Sequence, residues 1–174
     1  MAETLEFPDP SESAPAAPVE RDALPARSAE STEQLLDALR ESGPDRGCRT
    51  WWGGSQSSQT CAAVARHQLQ EVMVHTHDAR LALDAARPPP DEVALDGLDE
   101  FPSTCCSGTA AQPYQPAAVD HHATEGGSWR PLLSADGTWP LVLPTPPATT
   151  ADASLRGTAA ALVRPCTAVS RWTP

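Results

Sequence analysis

Three of the five histidines lie in one stretch free of Gly and Pro, Thr60 to Leu83, which reads TCAAVARHQLQEVMVHTHDARLAL. His67, Glu71 and His75 recur at i, i+4 and i+8, and Asp78 follows three residues later. On an α-helix all four project from one stripe. An imidazole and a carboxylate one turn apart converge on a single ion, so Glu71 with His75, or His67 with Glu71, has the makings of a metal half-site. All three cannot share one ion, because i to i+8 spans roughly 12 Å along the axis against metal bonds of about 2 Å. The same spacing also suits a solvated helix face that binds nothing, and two ligands fall short of the three protein ligands usual at a catalytic zinc.

Other reactive side chains are less organised. His121 and His122 are adjacent, so on a strand they point to opposite faces and cannot chelate together. Trp51 and Trp52 could stack a ligand, but in a loop between helices they read first as residues that close a core. Cys48, Cys61, Cys105, Cys106 and Cys166 are an odd number with no C-x-x-C pair, which indicates reduced thiols in a cytoplasm and neither a disulfide framework nor a zinc finger.

The elements that would position these residues follow from punctuation and period. Residues 1–30 are rich in Pro, Ala, Glu and Ser with few side chains to bury, which predicts a disordered arm. STEQLLDALRESG offers Ser31 or Thr32 as N-cap, apolar Leu35, Leu36 and Leu39, and a Gly43-Pro44 stop, the signature of a three-turn amphipathic helix. Ser57, Ser58 or Thr60 then caps the long helix, which Arg87 and Pro88-Pro89-Pro90 end. DEVALDGLDEF predicts a short helix. PAAVDHHAT, GSWRPLLS and GTWPLVLP have strand length, with a hairpin turn at Ala135-Asp136-Gly137. DASLRGTAAALV reads as a final helix. The expected fold class is therefore α+β, with a helical part at 31–87 and a small α+β unit at 92–174.

Composition excludes several functions. Twelve basic residues, all Arg, against 23 acidic ones give a net charge of −11, which repels phosphate backbones and anionic lipid and argues against nucleic acid and membrane partners. No run approaches the roughly 20 apolar residues of a membrane span, and the N-terminus has no basic or apolar leader. The absence of Lys, Asn and Ile points to GC-rich coding.

The run RHQLQEVMVHTHDARLAL, a Pro-rich break and then ALDGLDEF, with TWWGGSQSSQT before and HATEGGSWRPLLSADG after, resemble the mycothiol-dependent maleylpyruvate isomerase family over most of residues 31–163. The resemblance implies a DinB-like metal-binding helical domain, of which the last two helices are present, followed by that family's C-terminal domain. It implies a divalent metal, usually zinc, held by a histidine of an early helix and by Glu-x-x-x-His on the last, which carries over to Glu71 and His75 and makes His67 a neighbour. It further implies mycothiol or a similar low-molecular-weight thiol as cofactor and an unsaturated acid as small-molecule substrate.

Against that pattern no histidine precedes His67. Pro102 and Pro131 stand where relatives carry apolar residues. One permitted codon set for Pro165 to Thr173, read one base earlier, gives the family ending Leu-Tyr-Gly-Arg. The expectation is thus a chain truncated at its N-terminus and altered at its C-terminus. Its metal site is incomplete and would need completion by a homodimer or a complementing N-terminal half. The alternative is a non-catalytic remnant or interaction module.

Overall fold

A computed structural model describes residues 20–53, 55, 57–105, 115–133 and 150–168. The chain divides into two units, Met1–Trp51 with Gln59–Ala65, and Trp52–Ser58 with Arg66–Pro174.

In the first unit a single 3-10 turn, Arg21–Ala23, leads into α1, Leu24–Ser42. The helix starts seven residues ahead of the expected Ser31 boundary because Pro25 sits in its first turn, where a missing N–H costs nothing. The Ser and Thr expected as caps lie inside it, and Thr32 Oγ1 donates to the Ser28 carbonyl at 2.9 Å. Gly43, with φ of 77°, ends α1 and donates its N–H to the Leu39 carbonyl at 3.1 Å. No residue of α1 is buried, and Leu24, Leu35 and Leu36 are exposed.

The return toward α2, Cys61–Leu81, is held by an isolated antiparallel bridge between Gly47 and Thr60. Cys48 N–H bonds to the Gln59 carbonyl at 3.0 Å and Cys61 N–H to that of Arg46 at 2.9 Å. Cys48 and Cys61 are buried free thiols, and burial, with Cys61 adding to it, pushes the Cys48 thiol up.

The second unit takes α2 from Arg66 onward, α3 (Asp91–Cys105), β1 (Ala117–Ala123), β2 (Ser128–Trp129), β3 (Leu132–Leu133), β4 (Ala153–Gly157) and α4 (Ala159–Ala168). The fold class is α+β, as expected. α3 continues through Pro102, which removes one helical donor, and Ser103 Oγ adds a bond to the Asp99 carbonyl at 2.7 Å.

β1 carries the sheet. It pairs antiparallel with β2, His121 opposite Trp129, and with β3, Ala118 opposite Leu132, in one unbroken register. Pro131 thus splits one strand in two without shifting it. Its carbonyl still accepts the Val119 N–H at 3.1 Å while its own missing N–H ends regular pairing. Gly127, with φ of 88°, closes the β1–β2 turn where a Cβ would lie 2.6 Å from the Trp129 ring.

One expectation is overturned. Ala153–Gly157, the first half of the segment read as a final helix, is β4, parallel to β1 from Val119–Ala153 to Ala123–Gly157. Its Ala, Leu and Arg favour helix locally, but pairing with β1 decides the outcome. Helix begins only at α4, where Glu125 accepts the Ala159 N–H at 3.0 Å. GTWPLVLP and the turn at 135–137 lie outside the described residues.

The core gathers Ala94 and Leu98 of α3, Ala123 and Trp129 of the sheet, and Ala159, Leu162 and Val163 of α4. α3 and α4 approach closely at Gly97, where a Cβ would stand 2.9 Å from Val163 Cγ2 and 2.6 Å from Gln70 Oε1. Arg130 grips Asp120 through two parallel bonds, Nε to Oδ1 at 2.6 Å and Nη2 to Oδ2 at 2.8 Å. The Arg130 guanidinium holds the Asp120 carboxyl below the usual carboxylate range.

His121 and His122 do face opposite sides of β1. His122 Nδ1 meets Ser128 Oγ at 2.7 Å, whereas His121 is buried and its Nδ1 has no hydrogen-bond partner. Burial pushes the His121 imidazole below its ordinary value. The unfolded chain therefore takes up a proton near pH 6.5 that the folded chain refuses, and stability is complete above that pH and falls as pH drops below it. Thermal unfolding midpoints from pH 7.5 to 5 are expected to decline, and His121→Gln is expected to flatten that decline.

Candidate functional site

The chemistry-bearing stripe of α2 lies in the second unit, and α3 fixes it. Arg66 Nε bonds to Asp96 Oδ1 at 2.9 Å and Nη2 to Asp99 Oδ2 at 2.8 Å. Burial alone would lower the Arg66 guanidinium, but these carboxylates outweigh it and raise it. Gln70 Nε2 bonds to Asp96 Oδ2 at 2.9 Å and to the Val93 carbonyl at 3.2 Å. With α2 and α3 locked side by side, the stripe runs from a buried end at His67 to an exposed end at His75.

His67 is 3% exposed, and its Nδ1 lies 2.9 Å from Oε1 of Glu100, itself 2% exposed. Trp52 packs edge-on against the ring, centroids 4.9 Å apart and planes at 65°, and is anchored by its Nε1 bond to the Ser58 carbonyl at 3.2 Å. His67 Nε2 stands 3.5 Å from Glu71 Oε1, and Glu71 Oε2 stands 3.1 Å from His75 Nε2. Asp78 Oδ2 is 4.0 Å from His75 Nδ1. Glu71 is thus flanked by an imidazole on each side, one buried and one 72% exposed.

Whether a metal fits can be judged from the donors. Two ligands with bonds of about 2.0 to 2.1 Å in tetrahedral geometry sit roughly 3.3 Å apart. The 3.1 Å between Glu71 Oε2 and His75 Nε2 matches two corners of such a site. A third does not join them, since no three His, Cys, Asp or Glu side chains among the described residues are placed to hold one ion. The pair fits a half-site and not a closed three-ligand centre, in keeping with the axial span from His67 to His75.

His75 also borders a cavity of about 600 Å³ lined by His77, Asp78, Arg87, Thr158 and Arg164 on its polar side and by Met73 and Val163 on its apolar side. His77 spans its wall, Nδ1 3.4 Å from the Arg87 carbonyl and Nε2 3.4 Å from Arg164 Nη1. Two guanidinium groups and two imidazoles around one opening make it an anion-attracting region on an acidic chain.

Sequence reasoning missed Glu100. Its signal was its place on the buried side of α3 with Gly97 and Thr104, where a carboxylate needs a partner. Of the two tryptophans, Trp52 is buried and Trp51 exposed, so only Trp52 closes a core.

Residues 2–80 match the family model described as Mycothiol maleylpyruvate isomerase N-terminal domain, a span that takes in α1 and nearly all of α2. No curated protein and no solved structure matches the chain. Among the described residues, no helix is long and apolar enough to cross a membrane.

Proposed function

Residues 2–80 belong to the mycothiol maleylpyruvate isomerase N-terminal domain family, and from that premise we propose a cytoplasmic metal-binding protein whose Glu71 and His75 form a two-ligand half-site for a divalent cation, zinc by preference. The observation that carries this reading is the 3.1 Å convergence of Glu71 Oε2 and His75 Nε2 beside the cavity. A third ligand would come from water, from a second copy of the chain, or from a complementing N-terminal half.

The chemistry such a metal supplies when bound is to lower the pKa of a low-molecular-weight thiol, mycothiol or one like it, so that a thiolate exists at neutral pH and adds to an unsaturated acid. The chain's own residues do the rest. Glu71 and His75 hold the ion at the exposed end of the stripe. Arg87 and Arg164 receive a carboxylate in the cavity, and Met73 and Val163 keep its floor apolar. The activity in view is thus a thiol-dependent isomerase or transferase with an incomplete site.

A second reading, a non-catalytic interaction module, is favoured by one observation: α1 buries none of its residues while Leu35 and Leu36 stand exposed. Both readings are separable by metal binding. Equilibrium dialysis is expected to give close to one zinc per chain, with affinity lowered at least about tenfold in Glu71→Ala and in His75→Ala. Zinc-free protein under the same conditions, or equal binding by both variants, rejects the half-site.

A further inference from the structure

The buried end of the α2 stripe contains more than two ligands require. Glu100 commits one carboxylate oxygen to His67 Nδ1, and its Oε2 is buried with no hydrogen-bond partner. A carboxylate kept inside and half satisfied carries a desolvation cost that an apolar side chain there would avoid. What it yields is an orientation. An ionised carboxylate only accepts, so Nδ1 donates and the ring turns Nε2 toward Glu71 Oε1 at 3.5 Å. Trp52, edge-on at 4.9 Å, keeps the ring from swinging away.

Glu71 is the side chain that gains. Its carboxylate is 36% exposed on a helix surface, where a glutamate with nothing beside it samples several rotamers. Here Oε1 faces a fixed imidazole and Oε2 faces the exposed His75. We infer that His67, oriented by Glu100, is a positioning residue for Glu71, holding its carboxylate in the rotamer that presents Oε2 beside His75 Nε2. A donor already in place binds an ion at lower entropic cost than one that must be gathered. The consequence for metal affinity rests on the half-site reading, while the consequence for the Glu71 rotamer does not.

The test uses the full chain with labelled glutamate and reads the Glu71 side-chain three-bond couplings by NMR in chelator-treated buffer, followed by titration with Co²⁺. The unsubstituted chain is expected to show one dominant Glu71 rotamer. His67→Asn keeps an amide near Glu100 but has no atom at the Nε2 position, and is expected to give averaged couplings. His67→Gln, whose amide reaches that position, is expected to restore most of the preference, which a merely space-filling role would not do. A Glu71 rotamer unchanged in His67→Asn overturns the inference. Should His67→Asn fail to fold cooperatively, Glu100→Gln replaces it, because an amide both donates and accepts and no longer fixes the tautomer. Unchanged couplings there overturn the inference equally. Co²⁺ affinity is expected to fall about 10- to 100-fold in His67→Asn, and equal affinity counts against positioning. If the unsubstituted chain binds no Co²⁺ while its couplings respond to His67→Asn, the half-site reading fails and the positioning role stands.

Discussion

Glu100→Ala is expected to destabilise the second unit by about 3 kcal/mol, because removing one partner of a buried, hydrogen-bonded pair leaves the other desolvated without its counterpart. His67 and Glu100 are 3% and 2% exposed, so water cannot replace the lost carboxylate without opening the α2–α3 contact. For a unit of roughly a hundred residues this lowers the thermal midpoint by 10 °C or more, at about 4 to 8 °C per kcal/mol. The double variant His67→Phe with Glu100→Leu removes both polar groups at similar volume and is expected to recover most of the loss. A Glu100→Ala midpoint within 2 °C of the parent would show that the pair is not the buried couple described. Recovery in the double variant would mean that the pair is kept for orientation and not for stability.

Leu98→Ala is expected to cost a similar or larger amount, about 3 kcal/mol or more, by a different route. Leu98 is 0% exposed and is packed with Ala94, Ala123, Trp129, Leu162 and Val163. Four of the seven members of this core, counting Leu98 itself, are Ala, Ala, Ala and Leu, so few large neighbours can move in to fill a hole. Urea unfolding is expected to show a lower midpoint with an unchanged slope, the mark of lost stability in an intact fold. A loss under about 1 kcal/mol would mean that the core closes around the smaller side chain.

Both effects centre on α3, which is where the sequence was least informative about function. Glu71 and His75 were legible because an i, i+4 pair on a Gly- and Pro-free helix is a local pattern. His67 was legible as part of the stripe but not as buried, since nothing within a few residues marks which end of α2 is covered. Glu100 lies 33 residues away, and its pairing with His67 exists only once Arg66, Gln70 and Asp96 have aligned the two helices.

The same distinction explains the strands. β1 and the split at Pro131 were readable from residue type. β4 was not, because Ala153, Leu155 and Arg156 favour helix until β1 offers its free edge. The early start of α1 was signalled by Pro25, which composition placed in a disordered arm although it opens a helix.

The stripe thus runs from a buried imidazole–carboxylate pair, through Glu71, to an exposed imidazole beside a cavity rich in guanidinium groups. Its physical logic is that of a rigid interior supporting a donor at the surface. The chain also carries five cysteines, which are softer ligands and the natural competitors for zinc.

X-ray absorption at the zinc edge, on the full chain loaded with one zinc, tests the proposed half-site most directly. The account predicts nitrogen and oxygen neighbours only, at about 2.0 to 2.1 Å, with the outer-shell pattern of a single imidazole that disappears in His75→Ala. Sulfur neighbours at about 2.3 Å, or a spectrum unchanged in His75→Ala, would contradict it.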